Sequence, residues 1–88
     1  MCIRDSPKAL EYLLKGLKLA EDLKDKSLQA NALSNIGSVY YLQKNIPKGL
    51  DYYFKTLKID EELGNKYGVA SDLGNIGSVY KDQLDRCV

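Results

Sequence analysis

An all-α array of antiparallel helices is the fold class that this 88-residue sequence predicts. Three observations lead there. The block Asn35-Ile36-Gly37-Ser38-Val39-Tyr40 returns unchanged as Asn75-Ile76-Gly77-Ser78-Val79-Tyr80, so the chain repeats itself with a period of 40. Apolar residues recur at i, i+3, i+4 and i+7, the spacing of one helix face, and nowhere alternate with the period of two that a strand requires. The linkers between these stretches are only two to four residues long. Linkers that short force consecutive helices to pack antiparallel.

The repeat extends well beyond the six-residue block. Residues 7–43 and 47–83 are identical at 19 of 37 positions, among them Pro7/Pro47, Lys8/Lys48, Tyr12/Tyr52, Lys15/Lys55, Leu17/Leu57, Glu21/Glu61, Ala30/Ala70 and Leu33/Leu73. A period in this range marks a stacked-repeat architecture. Four helices follow in order. The first spans Pro7–Leu23, with Leu10, Leu13, Leu14 and Leu17 on one face, Ser6 as N-cap and Pro7 at the first helical position. The second spans Ser27–Gln43, capped by Asp25, with Leu33, Ile36 and Tyr40 beside the small residues Ala30 and Gly37. The third spans Pro47–Leu63, with Leu50, Tyr53, Phe54 and Leu57, and ends at Gly64, a residue suited to a left-handed C-cap. Asn65 starts the fourth, Tyr67–Leu84, which carries Leu73, Ile76 and Tyr80.

Composition bounds the function. Lys+Arg number 13 and Asp+Glu 12, a net charge of +1, so there is no electrostatic footprint for nucleic acid or a membrane surface. No apolar run reaches the roughly 20 residues of a bilayer span, and Met1–Lys15 lacks the apolar region of a signal peptide. A cytoplasmic protein is the expectation. Histidine is absent, and the two cysteines, Cys2 and Cys87, stand at opposite ends without metal-ligand spacing. Neither a zinc site nor a histidine-activated nucleophile is expected, and no metal, cofactor or catalytic residue is assigned. Asp60-Glu61-Glu62 reads as a solvated helix face. Lys15, Lys18, Lys55 and Lys58, interleaved with Glu11, Glu21, Asp51 and Glu61, read as stabilising surface pairs. Residues 1–6 and 85–88 leave the repeat pattern and are expected to be tails outside the native unit, with the chain a piece of a longer protein.

Leu33-x-x-Ile36-Gly37-x-x-Tyr40, followed on the next helix by Gly49 and Tyr53, resembles the tetratricopeptide repeat over about residues 7–84. That repeat is a helix–turn–helix with a large residue, then Leu-Gly, then Tyr on its first helix. The chain departs from it at the usual tryptophan (Leu33, Leu73), at the usual closing proline (Glu21, Glu61) and in its longer period. Stretched units of this kind are similar to kinesin-light-chain-type repeats and to arrays in bacterial signalling proteins. The resemblance divides the chain into the second helix of a partial repeat (7–24), a full repeat (26–63) and the first helix of a further repeat (66–84).

What the resemblance implies is a helical solenoid that binds a protein or peptide in its concave groove, lined by the first helices of successive repeats. On that basis Asn31, Ser34, Ser38, Tyr41 and Leu42 are expected to face the groove from one repeat. Ser71, Ser78 and Lys81, with Gly74 and Asp82, face it from the next. Asn35 and Asn75 flank it, either holding a peptide backbone through their amides or bonding within the stack. The alternative function is a structural or self-associating segment, because solenoid ends need polar caps that this chain lacks. Gly37 and Gly77 sit mid-helix, where glycine costs about 1 kcal/mol relative to alanine; close approach of a neighbouring helix is the expected reason.

Overall fold

The computed structural model describes residues 7–87, with side chains for 8–83. The chain forms four helices: α1 (Pro7–Asp22), α2 (Lys26–Leu42), α3 (Ile46–Leu63) and α4 (Lys66–Cys87). No strand occurs among the described residues. The expected boundaries hold to within one residue, except that α4 runs on to Cys87. Residues 85–87 are therefore helical. Ser6 and Cys2, named as a cap and a terminal thiol, lie outside the described residues.

Each of the three turns is built the same way, 20 residues apart. A left-handed residue ends the helix: Lys24 (φ 58), Lys44 (φ 67) and Gly64 (φ 69). The following amide reaches back five residues, Asp25 N–H to the Ala20 carbonyl at 3.0 Å, Asn45 to Tyr40 at 2.9 Å and Asn65 to Asp60 at 3.0 Å. This closure satisfies carbonyls that a helix end otherwise leaves unpaired. The residue donating that bond then opens the next helix, and its own carbonyl accepts from Gln29, Gly49 or Val69. Asp25 also caps through its side chain, accepting from the Leu28 amide at 3.2 Å, and Asn65 accepts from the Gly68 amide at 3.1 Å.

Extensive packing joins only consecutive helices, and α2 with α3 is the largest interface. The molecule is accordingly slab-shaped, 43 × 31 × 16 Å. Residues meeting across α2 and α3 run in opposite directions: Gly37 lies against Tyr53, and Tyr41 against Gly49. At the centre the two backbones approach closely. A Cβ on Gly37 would stand 3.0 Å from the Tyr53 ring and 3.2 Å from the Gly49 carbonyl, and one on Gly49 would stand 3.2 Å from the Gly37 carbonyl. The Tyr40 and Tyr52 rings stack beside this point at 5.6 Å, and Tyr53 donates to or accepts from Ser38 Oγ at 2.9 Å.

The buried apolar residues, Ala20, Ala30, Leu33, Ile36, Tyr53, Ile76 and Val79, come from all four helices. Tyr53, Ile76 and Val79 cluster together, with Tyr41, Ile46, Leu50 and Leu57 packed against them. Tyr80, expected at a packing position, is instead 49 % exposed, and Leu73 is 54 % exposed. The α4 helix turns Ile76 and Val79 toward α3, which leaves its Leu73–Gly77–Tyr80 stripe outside that contact. Gly77 accordingly has nothing within 4 Å of an added Cβ, unlike Gly37. The Glu11–Lys15 and Asp51–Lys55 pairs form as expected, each at 3.5 Å and largely exposed.

Two predictions follow from these positions. Gly37→Leu should destabilise the fold by about 1–3 kcal/mol through overpacking. Gly77→Ala should stabilise it by about 1 kcal/mol through helix propensity alone. Thermal melts of the two variants check the pair; equal effects of one sign would contradict the close approach. Replacing Lys24 and Lys44 by glycine should each raise stability by about 0.5–1 kcal/mol, because a side chain in the left-handed region is strained. Denaturant midpoints read that directly.

Candidate functional site

A polar pocket of about 210 Å³ opens between α2 and α4, with α3 behind it. Ser27, Ala30, Asn31 and Ser34 line it from α2, and Thr56 and Asp60 from α3. Gly68, Ser71 and Asp72 line it from α4, and Asn65 from the turn. The helical period places the back of the pocket. Gly49, Tyr53, Thr56 and Asp60 form one buried stripe of α3, so Asp60 continues inward the line that starts at the α2 crossing.

Two carboxylates therefore lie inside the protein, Asp60 at 4 % exposure and Asp72 at 3 %. Asp72 Oδ2 is buried and meets no hydrogen-bond donor among the described residues. Burial, then a hydrogen bond with Asp60 and the charge of Asp60, pushes the Asp72 carboxyl up from 3.8 to about 7. Asp72 therefore gains or loses its proton near neutrality. Gly68 makes the arrangement sterically possible. A Cβ there would fall 2.5 Å from the Asp60 carboxyl group and 2.9 Å from Asn65 Nδ2. The Thr56 hydroxyl is turned back onto its own helix, donating to the Tyr52 carbonyl at 2.9 Å.

Among the residues expected in the groove, Asn31, Ser34 and Ser71 meet around this pocket. Asn31 and Ser71 are exposed and Ser34 is half-buried. Asn35, Leu42, Ser78 and Lys81 are exposed but lie away from it, and Asn75 is half-buried. Ser38 is engaged with Tyr53 in the α2–α3 interface, and Tyr41 packs against the core. Those two side chains serve the packing of the fold, because the stripe they share turns toward α3. Asp60 corrects a second expectation. Glu61 and Glu62 are solvated, but Asp60, their neighbour in sequence, is buried.

The signal that locates the pocket lies in the mismatches of the repeat. Positions 60 and 72 align with Ala20 and Ala32, and position 68 aligns with Leu28. Two alanines have become acids, and the leucine beside them has become the glycine that admits one of the acids.

On the other side of α2, a larger mixed-charge depression of about 430 Å³ is walled by Leu17 and Glu21 of α1, by Lys26, Gln29 and Leu33 of α2, and by Tyr52, Lys55, Lys58, Ile59 and Glu62 of α3. Among the described residues no group of three or more metal-ligating side chains forms, and no helix is long and apolar enough to cross a membrane.

No family model matches the sequence, and no curated protein matches it. Among solved structures, the chain is similar to the solution NMR structure of the designed protein DA05, with a TM-score of 0.83 and 20 % identity. The match covers 93 % of this chain and 80 % of that one. At that identity the likeness speaks to the four-helix fold alone.

The acid pair makes stability depend on pH. A carboxyl whose folded value lies above its unfolded value holds its proton more tightly in the native state. Its stabilising effect is complete below about 4 and is lost as pH rises through about 7. Thermal midpoints should therefore fall between pH 5.5 and 8 by the equivalent of roughly a few kcal/mol. Asp72→Asn should flatten that slope and melt higher at pH 8. A melting series across the window in both proteins tests this.

Proposed function

We propose that the chain is a tetratricopeptide-like scaffold that binds a protein or peptide segment on the face shared by α2 and α4. One observation carries the reading: Asn31, Ser34 and Ser71, drawn from two helices 40 residues apart in the repeat, converge on one open polar pocket. Side-chain amides and hydroxyls arranged on a rigid helical face suit the donors and acceptors of an extended backbone. The 40-residue period, the Leu33–Ile36–Gly37–Tyr40 pattern and the consecutive helix packing support the solenoid assignment.

Selection from a random peptide display library against the immobilised chain tests the reading. Enriched peptides should bind the wild type, and a variant carrying Asn31→Arg and Ser71→Arg should lose roughly tenfold or more in affinity. Both positions are exposed, so the thermal midpoint should stay put. Failure to enrich any peptide, or binding indifferent to both substitutions, sinks the groove.

Self-association is the second reading, and a separate observation favours it. Leu33, Gly37 and Tyr40 on α2 are covered by α3, while their copies Leu73, Gly77 and Tyr80 on α4 are exposed. Beside Leu73 an apolar hollow holds Glu61, Lys66 and Val69 at the places of Glu21, Lys26 and Gln29 in the depression behind α2. That hollow repeats two walls of the earlier depression and lacks the third, which α3 supplies there. The chain carries a helix in the register of α3, namely α1. Its Tyr12 is 68 % exposed and aligns with Tyr52, so α1 of a second copy can stack Tyr12 on Tyr80 as Tyr52 stacks on Tyr40. Sedimentation equilibrium should show mass rising with concentration, and Gly77→Leu should suppress the rise. A constant monomer mass excludes this contact.

A further inference from the structure

Three of the eighteen mismatches between the two copies of the repeat meet in the polar pocket. Ala20 and Ala32 of the first unit correspond to Asp60 and Asp72, and Leu28 to Gly68. Asp60 belongs to α3, and Gly68 and Asp72 stand one turn apart on α4, so the acids meet where the two helices pack. A buried pair of acids costs stability unless something is gained by it. The first unit shows that the same backbone junction is built without it, since Ala20 is buried at 2 % exposure. Asp72 lines the pocket, is almost fully enclosed, and has in Oδ2 a buried oxygen that meets no donor among the described residues.

We propose that this pocket binds a primary ammonium group of a partner, seated between Asp60 and Asp72 with the side-chain oxygens of Asn31, Ser34 and Ser71 around it. The proposal deepens the peptide-binding reading and rests on it for the source of the ammonium, a lysine side chain or an N-terminus. An ammonium carries three donors and no acceptor, and the back of this pocket supplies acceptors. Charge-assisted bonds to carboxylates are stronger than those between neutral groups. Two carboxylates without a third ligating acid are a poor match for a divalent cation, which prefers more oxygen ligands.

Binding and protonation compete for the same place. With no cation bound, Asp72 takes up a proton as pH falls through about 7. An entering ammonium displaces that proton to solvent and pairs with both carboxylates. Asp60 and Asp72 are the titratable side chains that face the pocket. The other lining residues from α2, α3, α4 and the Asn65 turn are Ser27, Ala30, Asn31, Ser34, Thr56, Asn65, Gly68 and Ser71, and none of these titrates. Affinity for the cation should therefore rise as pH increases through neutrality.

The test uses small probes on the whole chain, so that it is independent of any partner peptide. An acetylated, amidated Gly-Lys-Gly supplies the side-chain ammonium, and a Gly-Gly-Gly amide with a free amine supplies the terminal one. Acetylated Gly-Norleucine-Gly amide supplies neither. NMR titration at pH 8 should show saturable shifts around Gly68, Ser71 and Asn31 for at least one of the charged probes and none for the norleucine control. The stronger of the two identifies the source. Asp60→Ala with Asp72→Ala restores the residues of the first unit and is expected to fold. In it, or in Asp72→Asn should the double variant not fold, affinity should drop roughly tenfold or more. Shifts that do not saturate, that persist in these variants, or that are matched by the norleucine control overturn the proposal. Tighter binding of calcium than of either ammonium overturns it too. Peptides selected on the groove that ignore Asp60 and Asp72 would overturn the ammonium site and leave the scaffold reading standing.

Discussion

The structure depends on the contact of α2 with α3 at Gly37 and Gly49. Two helices that carry ordinary side chains stay about 8–10 Å apart. Removing the Cβ from both sides of one crossing lets the backbones meet within van der Waals distance of each other's carbonyls. Everything around that point is adjusted to it. The Tyr53 ring covers the gap, its hydroxyl is held by Ser38, and Tyr40 and Tyr52 stack alongside. Because Tyr53 heads the stripe that continues through Thr56 to Asp60, the same crossing sets how deep the acid pair sits.

Much of the fold was legible in the sequence, for reasons that are local. Helix positions follow from apolar spacing, and the turns follow from Asp25, Gly64 and Asn65, whose side chains or backbone freedom act within a few residues. Gly37 was also legible, since a glycine inside a helix calls for a close neighbour. Gly77 shows where the reasoning stops. The residue is identical and the local helix is identical, but the close approach requires a second helix on that face, and α3 lies on the other one. Sequence identity between repeats does not make their environments identical.

The pocket was legible in part. Helical counting puts Asn31, Ser34 and Ser71 on one face, and they line one cavity. Helical counting groups Ser38 and Tyr41 with them, because the pocket-facing and α3-facing stripes of α2 adjoin and a count along one helix does not separate the two. Asp60 was hidden by its company. Beside Glu61 and Glu62 it reads as part of an acidic surface run, and its burial depends on contact with α4 across the Asn65 turn. The informative comparison is of position 60 with position 20, since an acid that replaces a buried alanine is a different signal from an acid in a charged run.

The three turns share one closure at residues 24, 44 and 64, so the geometry of the chain repeats every 20 residues while its side chains repeat every 40. Each hairpin of two helices thus closes through contacts near in sequence. Low sequence separation between contacts lowers the entropy lost before packing begins, which favours rapid folding. Because extensive packing joins consecutive helices, stability spreads from neighbour to neighbour. The α2–α3 hairpin, with the tightest crossing and the largest interface, is the natural seed, onto which α1 and α4 add as outer layers. The acid pair straddles the seam between that seed and α4. Its protonation therefore bears most directly on whether α4 stays docked, and local opening of the last helix is where a change of pH would first be felt.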